Sequence, residues 1–125
     1  MTRLDYFERK LDDKNRLTVP AELREEFQSG LVITRGFKNY LHIYPKQVWD
    51  EQVEPALAGD ILSEEVADKN VKFRQGKVEL VLDQKQGRVK LEKHHLDYAG
   101  IEREVVAVRA GNYWRLMSPR ALAEL

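Results

Sequence analysis

The sequence predicts an α+β chain, mainly β, in which two copies of one β-rich unit are joined by a helical connector. Two observations carry this. A strand–turn–strand pattern occurs twice, at Leu31-Val32-Ile33-Thr34-Arg35-Gly36 leading to Asn39-Tyr40-Leu41-His42-Ile43-Tyr44-Pro45, and at Val105-Val106-Ala107-Val108-Arg109-Ala110 leading to Asn112-Tyr113-Trp114-Arg115-Leu116-Met117-Ser118-Pro119. Upstream of each, a polar turn ends in arginine and opens a strand that alternates apolar and polar residues. The repeats are expected over residues 5–47 and 76–121, with the connector at 48–75 and one compact domain overall.

The elements follow in order. A strand is expected over 5–11 and a turn over 12–15. In the next strand, 16–19, Leu17 and Val19 point one way and Arg16 and Thr18 the other. Pro20 suits the first position of a helix over 21–27, where its missing N–H is no loss. Leu23 and Phe27 then share one face, and Gly30 closes the segment. The hairpin spans 31–45. Gly36 and Asn39 in its turn, like Gly111 and Asn112 in the second, tolerate positive φ. Connector helices are expected near 46–57 and 62–70, and Trp49, Val53, Leu57, Ile61, Leu62 and Val66 predict packing instead of a loose tether. The second copy gives a strand at 77–82, a turn at 83–87, a strand at 88–91, a helix at 93–98 closed by Gly100, a hairpin at 104–117 and a last helix after Pro119.

Composition excludes several classes. With 125 residues, 42% hydrophobic and 34% charged, the chain can bury a core and reads as globular. It has no cysteine, which rules out disulfides and thiolate metal sites and fits a reducing cytoplasm. Met1, Thr2 and Arg3 run straight into patterned sequence, and no stretch is apolar for the ~18 residues a membrane helix needs. A cytoplasmic protein with no membrane partner is expected.

Zero net charge, taken alone, argues against nucleic acid. The distribution argues the other way. Residues 47–68 hold seven acids and no base, which leaves the other 103 residues at +7. Residues 72–93 hold seven bases and three acids. If the acidic segment faces away, a basic face remains for phosphate. The alternative is that both are solvated faces of ordinary helices and strands.

At these residues the sequence resembles the MraZ family of bacterial transcriptional regulators, whose units share the AbrB-like swapped-hairpin β-fold. The family carries two Asp-x-x-x-Arg motifs, usually with glycine before the arginine. The first stands here as Asp12-Asp13-Lys14-Asn15-Arg16, followed by Leu17-Thr18-Val19-Pro20. Thr34-Arg35-Gly36, Tyr44-Pro45 and Trp49 match the family's first hairpin, and Ala99-Gly100-Ile101, Val105-Val106, Gly111-Asn112 and Ser118-Pro119 match its second half. The likeness runs from about Tyr6 to Leu122. Three departures stand out. Asn15 replaces glycine. The second motif has one residue more, with either Asp83 or Gln84 in the acid's place before Arg88. The proline-led helix start is absent in copy two, where Glu92 and Lys93 stand.

The resemblance implies a double swapped-hairpin β-barrel that binds double-stranded DNA as a ring of identical subunits. It implies a target at the promoter of the division and cell-wall gene cluster, read through short G-rich repeats, and a nucleoid-associated protein. Lys14, Arg16, Lys85 and Arg88 are the expected DNA contacts. Arginine can grip guanine O6 and N7 or clamp a phosphate, and lysine offers a point charge. Asp12, Asn15, Asp83 and Gly87 are the expected turn-orienting residues. The bland reading is an internal Asp12–Arg16 pair that only fixes the turn.

Other candidates are structural. Arg35 and Arg109 recur at equivalent positions and are expected in strand-end or subunit-interface salt bridges, with a part in DNA binding as the alternative. Trp49 and Trp114 are expected in the core or an interface. Neighbouring residues project apart on a helix, so His94 and His95 suit a shared metal poorly, and Asp12 with Asp13 lacks a third ligand. No catalytic set, metal site, cofactor or small-molecule substrate is expected. Two alternatives to a regulator remain: an antitoxin-like DNA-binding partner, and an oligomeric protein-interaction scaffold with weak or no specific DNA binding.

Overall fold

The computed structural model describes residues 4–125. Met1, Thr2 and Arg3, and the expectation drawn from them, lie outside these. Eight strands form among the described residues: β1 (Tyr6–Lys10), β2 (Arg16–Thr18), β3 (Leu31–Arg35), β4 (Leu41–Pro45), β5 (Val78–Leu80), β6 (Arg88–Lys90), β7 (Glu104–Arg109) and β8 (Trp114–Met117). A 3₁₀ helix, η1 (Ala21–Phe27), follows β2. After β4 come α1 (Lys46–Val48), a π-helical turn (Trp49–Val53) and α2 (Glu54–Leu57) without a break, then α3 (Glu64–Arg74). The second half adds α4 (Lys93–Ala99) and α5 (Pro119–Ala123).

The strands interleave. The main sheet has the order β1-β7-β8-β4-β3-β5, and β2 and β6 form a separate two-stranded ribbon. All pairings are antiparallel. The order reads the same when β1–β4 are exchanged for β5–β8. At the sheet's centre His42 faces Arg115, flanked by Leu41 opposite Leu116 and Ile43 opposite Trp114. In the ribbon Leu17 faces Val89, with Arg16 opposite Lys90 and Thr18 opposite Arg88.

Side-chain alternation sorts the sheet into two faces. Leu31, Ile33, Leu41, Ile43, Ala107, Trp114 and Leu116 pack with Leu17 and Val89 of the ribbon and with Leu23, Phe27, Leu96 and Ala99 of η1 and α4. Val32 and Tyr44 point the other way and pack against Trp49, Leu57 and Phe73 of the connector. The ribbon therefore covers one face of the sheet and the acidic connector the other.

Several expectations need correction. The barrel is not closed: β1 and β5 are the edges of the main sheet, and the ribbon is apart from it. A side chain, Arg9 Nε donating to Thr18 O at 3.1 Å, links β1 to β2. Ile61 and Leu62 do not pack; they are 91% and 90% exposed in the turn between α2 and α3. Pro20 precedes η1 with an extended ψ of 142°, so it caps the helix instead of starting it. Gly36 has no positive φ; it is glycine because a side-chain carbon there would meet the Tyr40 ring at 2.5 Å and the Tyr40 carbonyl at 2.8 Å. The His94 and His95 rings do not splay apart but lie 4.1 Å from centre to centre. Trp49 and Trp114 are in the core, as expected.

Candidate nucleic-acid interface

The ribbon's outward face is built by strand alternation. Leu17 and Val89 are buried between sheet and ribbon, which forces Arg16, Thr18, Arg88 and Lys90 outward. A turn stands at each end. Asn15 O accepts from Leu91 N at 2.9 Å at one end, and Gly87 O accepts from Val19 N at 2.7 Å at the other. Lys14 and Lys85 are exposed in these turns.

Turn one is a β-turn closed by Asn15 N donating to Asp12 O at 3.0 Å. Asn15 then takes the left-handed conformation, φ 58°, which a short polar side chain tolerates. That residue lets Asp12 N donate to Arg16 O at 3.1 Å, the pattern of a three-residue hairpin loop with a bulge. The Asp12 carboxylate holds the whole turn. Its Oδ1 accepts from the amides of Lys14 (2.9 Å) and Arg16 (2.8 Å), and its Oδ2 accepts from Arg16 Nε at 2.7 Å. The Arg16 amide, its guanidinium and the Lys14 amide keep the Asp12 carboxyl below its usual range. Among the described residues, the Arg16 Nη atoms have no hydrogen-bond partner. The pair therefore aims the guanidinium without consuming its terminal nitrogens.

Turn two is one residue longer. Gly87 N donates to Asp83 O at 2.6 Å, closing a five-residue turn, and Gly87 takes φ 63° where turn one has Asn15. The extra residue is thus absorbed inside the turn. Asp83, not Gln84, fills the acid's place: its Oδ1 accepts from Lys85 N at 3.0 Å and its Oδ2 from Gln86 N at 3.2 Å. Both oxygens are occupied by amides, and Arg88 donates instead to the Gln86 side-chain oxygen.

All eight residues expected at the site sit in these two turns and their ribbon. Lys90 belongs with them, exposed and opposite Arg16. Its mark in the sequence is the alternation Arg88-Val89-Lys90. Arg109 lies elsewhere. It is a strand-end ion pair, bonded to Asp5 (2.9 Å) and Glu26 (3.1 Å) and stacked over Trp114. Arg35 stacks over Tyr98 at 5.0 Å and makes no salt bridge among the described residues. No group of three or more His, Cys, Asp or Glu among those residues is placed to hold a metal ion, and no helix is long and apolar enough to cross a membrane.

Comparison with known proteins agrees with the motif. Residues 5–69 match the family model described as "MraZ protein, putative antitoxin-like". The chain belongs to the MraZ family. Among curated MraZ relatives, one from Kineococcus radiotolerans named Transcriptional regulator MraZ is 38% identical over 82% of this chain and 71% of its own length. One of the same name from Thermomicrobium roseum is 35% identical over 98% and 87%. A third, from Roseiflexus sp. (strain RS-1), is 30% identical over 94% and 81%. These alignments carry the MraZ resemblance through the second half of the chain, beyond the segment matched by the family model.

Proposed function

We propose that this chain is a sequence-specific transcriptional regulator that grips double-stranded DNA with the outward face of the β2–β6 ribbon and its two turns. One observation carries the reading. Lys14, Arg16, Lys85, Arg88 and Lys90 converge on one thin ribbon, while the acidic connector lies on the opposite face of the sheet. A neutral chain thereby presents a basic surface to phosphate. Arg16, aimed by Asp12, is placed to read a base edge, and Lys14, Lys85 and Arg88 are placed to meet phosphates. Asp12, Asn15, Asp83 and Gly87 set the turns.

Residues 5–47 and 76–121 act as two repeats of a swapped-hairpin unit around the connector 48–75. A single chain offers two small turns, too few contacts for tight specific binding. A ring of identical chains repeats them, and the repetition supplies the affinity. The resemblance points to short G-rich repeats at the promoter of the division and cell-wall gene cluster, and to a cytoplasmic, nucleoid-associated protein with no enzymatic activity.

The test is titration of the chain with its own upstream DNA and with a scrambled duplex, alongside sedimentation of the free protein. An oligomer is expected at micromolar concentration, with a preference for upstream DNA of at least about a thousandfold. Equal weak affinity for both duplexes would favour the scaffold instead.

A further inference from the structure

Turn two lacks the aspartate–arginine latch of turn one, yet it is held. The holding group comes from far away in the sequence. Arg24, on η1, donates from Nη1 to Lys85 O at 2.7 Å and from Nε to Val19 O at 3.1 Å, and Nη1 also approaches Gln84 O at 3.4 Å. One guanidinium thus ties the turn's carbonyls to the end of β2. Val19 is also the residue whose N–H donates to Gly87 O. Two bonds of opposite direction therefore fasten turn two to the same point.

Gly87 is shaped around this arginine. A side-chain carbon at Gly87 would sit on the Arg24 side chain, 2.8 Å from Cζ and 2.9 Å from Cδ. Backbone conformation alone does not demand glycine here, because Asn15 holds the matching left-handed conformation in turn one. Close approach of the guanidinium adds a second constraint, because a side-chain carbon at Gly87 would push the Arg24 side chain aside.

We propose that Arg24 is a positioning residue for DNA binding: it holds turn two in the shape that presents Lys85 and Arg88, in place of the latch that Arg88 does not make. This rests on the ribbon reading above. Arg24 commits Nε and Nη1 to carbonyls of β2 and turn two, so its part in this proposal is to fix the turn. A bond from a charged donor to a carbonyl is stronger than a neutral one, and it suits a loop that must keep its shape beside a polyanion.

Substitutions in both turns and two readouts test this. Arg24→Ala removes the clamp. Gly87→Asn keeps the left-handed preference and the arginine's charge but displaces the guanidinium. Asn15→Gly is the control in turn one. Amide hydrogen exchange of the free protein reads the turn without DNA, and fluorescence anisotropy with upstream DNA reads binding. Both Arg24→Ala and Gly87→Asn should speed exchange at Lys85, Gln86 and Gly87 roughly tenfold or more while protection of β3 and β4 is kept. Both should weaken DNA binding roughly tenfold, and adding Arg88→Ala to Arg24→Ala should cost much less than Arg88→Ala costs alone. Asn15→Gly should leave turn two unchanged.

Unchanged exchange in Arg24→Ala overturns the clamp. Faster exchange with full DNA affinity, where Arg88→Ala itself weakens binding, overturns the positioning role while leaving the ribbon reading intact. If neither Arg88→Ala nor Lys85→Ala affects binding, the ribbon reading fails at turn two and the proposal falls with it.

Discussion

The two polar turns begin alike and end alike. Each opens on an aspartate whose carboxylate accepts loop amides, and each closes on a left-handed residue whose carbonyl joins the partner strand of the ribbon. Between these fixed points they differ. In turn one Asp12 has an oxygen to spare and latches Arg16. In turn two the amides fall on separate oxygens of Asp83, Lys85 N on Oδ1 and Gln86 N on Oδ2, which leaves Arg88 to Gln86 and the turn to Arg24. The same backbone ends can thus be reached with the arginine latched to the turn's aspartate or turned to Gln86. In this chain the Asp-x-x-x-Arg spacing latches Arg16 to Asp12, and one more residue in the second loop leaves Arg88 off Asp83.

Under the proposed DNA-binding reading that difference predicts unequal duties, and the largest effect should come from the aimed side. Arg16→Ala is expected to remove about 1–3 kcal/mol of discrimination per site, multiplied along a repeated operator. Affinity for scrambled DNA should fall far less. Arg88→Ala should instead weaken upstream and scrambled DNA by similar factors. Competition titration with both duplexes separates the two patterns, and identical patterns for the two arginines would erase the distinction.

The next effect lies where the two halves meet at the centre of the sheet. There His42 of β4 faces Arg115 of β8. His42 is fully buried, and its Nδ1 lies 2.8 Å from the Tyr44 hydroxyl. Burial first, then the Arg115 and Lys72 charges, lower its pKa from 6.5 to about 4. The folded protein therefore keeps His42 neutral while the unfolded chain takes up a proton. Stability from this group is full above pH 6.5 and is lost as pH falls from there towards about 4, by on the order of 3 kcal/mol. His42→Gln should flatten the fall in denaturation midpoint across that window. An equally steep fall in the variant would place the titration elsewhere.

The smallest effect expected is that of Asn15→Gly. Both residues accept the left-handed conformation, so stability should change by less than about 1 kcal/mol and DNA affinity by less than about threefold. A large drop in affinity would mean that the Asn15 side chain itself meets DNA.

Much of this was legible along the chain, because the signals were local. Alternation at Leu17 and Val19 and the polar turns marked the ribbon strands, and apolar spacing at Leu23 and Phe27 marked η1. The acidic run foretold the charge separation, though not that a sheet would stand between ribbon and connector. What escaped depends on contacts distant in sequence. Nothing near Arg16 shows that its strand pairs with the one bearing Lys90, and Arg24 reaches a turn some sixty residues away. Ile61 and Leu62 continued an apolar pattern past the end of α2, where the chain turns and no neighbour covers them. Glycine was equally ambiguous. Gly36 read as a turn glycine, but it makes room for Tyr40, just as Gly87 makes room for Arg24.

Whether the ribbon's cations meet DNA phosphates and bases can be read from the salt dependence of DNA affinity. The comparison is between the wild-type chain and an Arg16→Ala, Arg88→Ala, Lys90→Ala triple variant with intact oligomeric state. For every phosphate that a chain no longer neutralises, the slope of log affinity against log salt should flatten by about 0.9. A clearly shallower slope is expected for the variant, together with disappearance of its preference for upstream DNA. A variant that keeps the wild-type slope and preference would show that DNA is bound elsewhere on the molecule.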